Sequence, residues 1–141
     1  SSLILAAPYW EKGLELELTG NLSSVPYLDM TLQLMEHYGA KLKRDGRIVN
    51  VFPLPYHKAK LRVEPDWSSA AFWYELVALS NEGELFLKGL STKSLQGDKE
   101  MIQFFSALGV ESYEETDGIF IFKSAKKPVK TSFNLQDYPD M

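Results

Sequence analysis

A chain of 141 residues, 45% hydrophobic and 24% charged, can bury the core of one ordinary domain or two small lobes and lies outside the composition of disordered segments. Its net charge of −4 excludes the electrostatic footprint of a nucleic-acid or anionic-membrane binder. Without cysteine there is no disulfide framework, no thiolate nucleophile and no Cys-type zinc site, a composition that suits a cytoplasmic protein.

The first apolar run, Leu3 to Ala7, is far too short to span a bilayer and lacks the basic flank of a signal peptide. It reads as the stub of a helix ending before Pro8, as though the chain began partway through one. From Gly13 to Leu18 apolar and polar residues alternate as in a half-buried strand. A helix is predicted over 25–38, with Leu28, Leu32 and Met35 on one face, and Gly39 supplies a left-handed stop without a Cβ clash. Asp45-Gly46 then predicts a tight turn with positive φ, and Arg47 to Phe52 the return strand.

Pro53-Leu54-Pro55 reads as a loop and Lys60 to Glu64 as a short strand. Asp66 is placed to cap a helix running to about Leu79, with Ala70, Trp73 and Val77 on one face. A second strand pattern, Gly83 to Lys88, leads through turn residues to a helix carrying Met101, Phe105 and Leu108, which Gly109 stops. Asp117-Gly118 and the strand Ile119 to Phe122 follow. Residues 83–122 thus repeat the order of 13–52 at an offset of about 70 positions. The expected fold is α/β (α+β), built from repeated units, with mixed sheets covered by helices on one face. At the end, Tyr138-Pro139-Asp140-Met141 has proline where a helix should start, and Asp137 is placed as its N-cap.

Four stretches carry a specific resemblance. Asn21-Leu22-Ser23-Ser24-Val25-Pro26-Tyr27-Leu28-Asp29-Met30-Thr31, Val63-Glu64-Pro65-Asp66-Trp67-Ser68-Ser69-Ala70, Ser94-Leu95-Gln96-Gly97-Asp98 and Asp137-Tyr138-Pro139-Asp140 stand in one order and spacing. In that order they resemble the motifs of the 5-enolpyruvylshikimate-3-phosphate synthase family, an enolpyruvyl transferase family. The resemblance implies two domains assembled from βαβαββ units, residues 1–63 ending one and 64–141 beginning the other. It implies transfer of the enolpyruvyl group of phosphoenolpyruvate to the 5-hydroxyl of shikimate 3-phosphate with release of phosphate, and no metal or organic cofactor. The family has glycine where Pro65 stands, and proline would stiffen the crossover.

The resemblance also assigns residues. Ser24 matches the serine that binds the shikimate phosphate, and Tyr27 the tyrosine beside that substrate. Physics alone allows either role at Ser24: a helix N-terminus welcomes a phosphate, while a plain N-cap is worth about 1 kcal/mol. Asp140 matches the catalytic aspartate of proton transfer. Ser1-Ser2 is not the family's Ser-Ser-Gln motif, because Leu3 follows and the register places that motif upstream; the two serines read as helix residues.

His37 and His57 lack partners at metal-ligand spacing. Lys41, Lys43 and Arg44 read as a solvated strand face and its turn. Trp67, Trp73 and Tyr74 read as core, and Lys126-Lys127 is too small a basic cluster for nucleic acid. The motifs that grip phosphoenolpyruvate in the family are missing, so this chain alone is expected to be inert. Exposed apolar surface should make it self-associate, with residues 3–7 docking on another chain. The alternatives are the sister UDP-N-acetylglucosamine enolpyruvyl transferase and a non-catalytic interaction domain on the same repeats.

Overall fold

A computed structural model describes residues 1–126 and 132–141. It divides into two compact units, Ser1–Arg62 and Val63–Met141.

The first unit contains α1 (Ser2–Ala6), β1 (Leu14–Glu17), α2 (Val25–His37), β2 (Leu42–Asp45) and β3 (Ile48–Val51). On β1 the leucines turn inward and Glu15 and Glu17 outward, as the alternation requires. The sheet order is β1-β3-β2, with Leu16 opposite Val49 and Leu42 opposite Val51. Central β3 buries Val49 and Val51 beneath Leu32 and Met35 of α2 and Ile4 of α1. The stub at residues 3–7 was expected to dock on another chain. Ile4 and Ala7 are buried in the core of their own unit, while Leu3 and Leu5 remain exposed.

Helix α2 ends in a Schellman motif. The Ala40 N–H donates to the Met35 carbonyl at 2.9 Å and the Gly39 N–H to that of Glu36 at 2.9 Å, with Gly39 at φ 85°. A Cβ on Gly39 would also lie 2.2 Å from the His57 ring, so glycine is required twice over.

The second unit contains α3 (Trp67–Leu79), β4 (Glu84–Lys88), α4 (Met101–Ala107), β5 (Val110–Glu115) and β6 (Gly118–Lys123). Its sheet order, β4-β6-β5, matches that of the first unit. Trp67, Ala70, Tyr74 and Val77 of α3 and Met101 of α4 pack on Val110, Ile119 and Ile121. Burial raises the Tyr74 phenol, partly offset by the hydrogen bond it accepts from Ser112 Oγ at 3.0 Å.

Several expectations are corrected. Both sheets are antiparallel throughout rather than mixed: each hairpin's return strand occupies the slot between the two strands that run the same way. Residues 60–64 form no strand, and the segment before them is held to the end of α2 instead. The His57 N–H donates to the Tyr38 carbonyl at 2.9 Å, and His37 Nε2 meets the Lys60 carbonyl at 2.9 Å. Trp73 is not core but 51% exposed, with Phe72, Leu76 and Leu79 beside it on the outer face of α3. A helix apolar around most of its circumference offers no periodicity from which to choose its inner face.

The hairpin turns also differ from expectation. In the first, Gly46-Arg47 forms the tip between Asp45 and Ile48, with only Gly46 at positive φ. In the second the tip is Thr116-Asp117, and Gly118 begins β6 without positive φ. Glycine is needed there for close approach: a Cβ would lie 2.5 Å from the Leu87 carbonyl and 2.8 Å from the Phe86 ring. Arg44 is not simply solvated, since it forms an ion pair with Asp29 of α2. Asp137 lies in a turn. Lys126 pairs with Glu111 at 2.8 Å, whereas Lys127 lies outside the described residues. No helix among the described residues is long and apolar enough to cross a membrane.

Candidate functional site

Ser24 is the one non-glycine residue at positive φ among the described residues, at φ 57° and ψ 34°. An L-residue there carries a local cost of about 1–2 kcal/mol. A serine at this helix-start position ordinarily recovers energy by capping, yet its side chain makes no cap hydrogen bond. Only its carbonyl engages the helix, accepting from the Tyr27 and Leu28 N–H groups at 3.2 and 3.4 Å.

Ser24 and Tyr27 line a groove of about 500 Å³ with Ser1, Ser2, Ser23 and an apolar wall that includes Leu16 and Leu18. Arg47 holds the segment that leads from β1 toward the groove, donating from Nη1 to the Gly20 carbonyl at 2.6 Å. The two N-termini of α1 and α2 meet here. Ser1 Oγ lies 3.3 Å from Thr31 Oγ1, which donates to the Tyr27 carbonyl at 2.8 Å. A hydroxyl-rich groove at the positive ends of helices suits an anion with an apolar body. Ser1 and Ser2 are helix residues as read, Ser1 as N-cap and Ser2 first in α1, but they line this groove too. Spacing along the chain carried no signal of that, since only the packing of α1 on α2 brings them there.

In the second unit two sequence motifs prove to be one polar cluster. Glu64 accepts from Ser94 Oγ at 2.5 Å, from the Leu95 N–H at 3.3 Å and from Gln96 Nε2 at 3.3 Å. The Gln96 amide spans the start of α3, donating to the Pro65 carbonyl at 2.7 Å and accepting from the Trp67 N–H at 2.8 Å. Asp98 is buried and accepts from Ser68 Oγ at 2.5 Å. Asp66 caps α3, taking the Ser68 N–H at 3.1 Å and the Ser69 hydroxyl at 2.5 Å. The Ser69 hydroxyl above all, with the backbone N–H groups of Ser68 and Ser69, holds the Asp66 carboxyl below the usual range. These contacts span about 30 residues of sequence, beyond the reach of local pattern reading.

Asp140 belongs to this second unit and is exposed. It sits in a turn closed by the Met141 N–H donating to the Tyr138 carbonyl at 3.2 Å. Among the described residues no cluster of His, Cys, Asp and Glu could hold a metal ion.

Two antiparallel sheets backed by helices, one beside a hydroxyl-lined helix N-terminus, define an α/β protein of matched three-stranded units. The family model described as EPSP synthase (3-phosphoshikimate 1-carboxyvinyltransferase) matches residues 1–141, and the chain belongs to that family. Proteins named 3-phosphoshikimate 1-carboxyvinyltransferase are among its relatives. That of Bacteroides fragilis is 37% identical over 142 residues, covering 100% of this chain and 35% of the relative. That of Dehalococcoides mccartyi is 42% identical over 113 residues, covering 79% of this chain and 26% of the relative. That of Methanopyrus kandleri is 32% identical over 128 residues, covering 91% of this chain and 29% of the relative. The chain spans about a third of the length of the curated relatives it matches.

Proposed function

We propose that this chain is part of a cytoplasmic enzyme that transfers the enolpyruvyl group of phosphoenolpyruvate to the 5-hydroxyl of shikimate 3-phosphate, releasing phosphate. The family match across residues 1–141 carries the reading. In it, residues 1–63 complete one domain and 64–141 begin the next, and the division between Arg62 and Val63 supports this.

The Ser24 hydroxyl takes the shikimate phosphate at the positive end of α2, and Tyr27 lies against the same substrate. A hydroxyl left without a cap bond, in a backbone conformation that costs energy, supports a binding role over a purely structural one. Asp140 handles a proton at the substrate hydroxyls, which must be released as the 5-oxygen bonds to the enolpyruvyl carbon.

Titration of isotopically labelled chain with shikimate 3-phosphate, followed by amide NMR, tests this. Saturable shifts centred on Ser24 and Tyr27 are expected. A well-dispersed spectrum that does not move would sink the assignment of this groove. The same titration with UDP-N-acetylglucosamine should leave the spectrum unchanged.

A further inference from the structure

The turn that carries Asp140 is held at both ends by side chains from the body of its unit. At the near end the Tyr138 ring packs against Phe104 of α4, with centroids 5.5 Å apart and planes at 74°. Phe133 packs on the same ring at 5.0 Å with the planes at 57°, so Phe104 gathers one aromatic group from the turn and one from the segment leading into it. At the far end the Met141 side chain packs against the core formed by α3, α4 and the sheet. The backbone tightens this arrangement with two successive turns, Tyr138 N–H to the Leu135 carbonyl at 2.9 Å and Met141 N–H to that of Tyr138 at 3.2 Å. Asp140 itself is exposed, between the two anchors. Burial, and then the neighbouring carboxylates of Glu100, Asp137 and Asp98, raise the Tyr138 phenol.

A carboxylate that must meet a substrate hydroxyl within hydrogen-bond reach loses effectiveness steeply when misplaced by about 1 Å. Asp140 lies in a segment without helix or strand, so where its backbone sits depends on how that turn is held. We propose that Phe104 is a positioning residue: by clamping Phe133 and Tyr138 it fixes the Tyr138–Met141 turn and aims the Asp140 carboxylate. This rests on Asp140 being the substrate-facing carboxylate proposed above, and it adds an element of α4 that none of the family-like stretches contains.

The test uses the chain labelled for backbone 15N relaxation and for the Asp140 side-chain carbon. In the wild type, order parameters at Asp140 and Met141 should be near about 0.85, and Phe104→Ala should drop them below about 0.6 while strand amides stay put. Phe104→Trp should restore them. Tyr138→Ala removes the same ring contact from the exposed side and should give the same loss if Phe104→Ala fails to fold. On addition of shikimate 3-phosphate the wild-type Asp140 carboxyl resonance should move, and in Phe104→Ala that movement should shrink at least severalfold.

Unchanged order parameters in Phe104→Ala and Tyr138→Ala overturn the clamp, whatever the ligand does. If the turn loosens but the wild-type Asp140 resonance ignores the ligand, the clamp is structural only. The positioning role then falls together with the site assignment. Loosening accompanied by a lost ligand response, with both rescued by tryptophan, is the expected result.

Discussion

Replacing Ser24 separates a helix cap from a binding hydroxyl. At an ordinary N-cap, serine to alanine costs about 1 kcal/mol because a first-turn N–H loses its acceptor. Ser24 makes no such bond, so Ser24→Ala should change stability by less than about 0.5 kcal/mol, the range of a neutral surface substitution. Ser24→Gly should go further. It removes a left-handed cost of about 1–2 kcal/mol. It adds about 0.5–1 kcal/mol of backbone entropy. The net expectation is a gain of up to about 1.5 kcal/mol.

Both variants lose the hydroxyl. A hydrogen bond to a charged phosphate is worth about 1.5–3 kcal/mol, so affinity for shikimate 3-phosphate should fall roughly tenfold or more in each. Urea unfolding, read from amides of β1 and β3 so that only the first unit is reported, gives the stability. Isothermal titration gives the affinity. A Ser24→Ala variant that loses about 1 kcal/mol or more with affinity untouched would make the serine a cap after all. A glycine variant both more stable and weaker in binding would show local strain maintained for function.

Gly39→Ala should destabilise the first unit more than Gly20→Ala: both are left-handed, but only at Gly39 does a Cβ strike a ring, and His57→Ala should recover part of the loss in a double-variant cycle. The Asp66 carboxyl is held below its unfolded range, so it contributes stability above that range which is lost as pH falls through the folded value; Asp66→Asn should flatten the acid limb of thermal melts of the second unit. Phe72, Trp73, Leu76 and Leu79 expose an apolar face on α3, and sedimentation across a wide concentration range should show self-association that Leu76→Lys with Leu79→Lys weakens. A strictly monomeric profile of the unsubstituted chain would remove that expectation.

Local chemistry was enough to place much of this protein. The 3.6-residue spacing of Leu28, Leu32 and Met35 and the glycine at 39 locate α2 and its end, and Asp66 marks the start of α3, because these effects act within one or two turns of chain. Alternation of apolar and polar residues marks β1. The four family-like stretches, and with them the candidate residues Ser24, Tyr27 and Asp140, are equally visible in the string.

Tertiary structure decided what depends on partners distant in sequence. It inserted β3 between β1 and β2, made both sheets antiparallel and left 60–64 without a strand to join. It turned Trp73 outward, where an almost uniformly apolar helix gave no preference. It brought Ser1 and Ser2 to the groove of Ser24 and joined Glu64, Trp67 and Gln96 into one hydrogen-bonded cluster. The left-handed backbone of Ser24 belongs to the same class, for an unfavoured φ persists only where surrounding packing over-determines it, and no residue announces that in its own sequence neighbourhood.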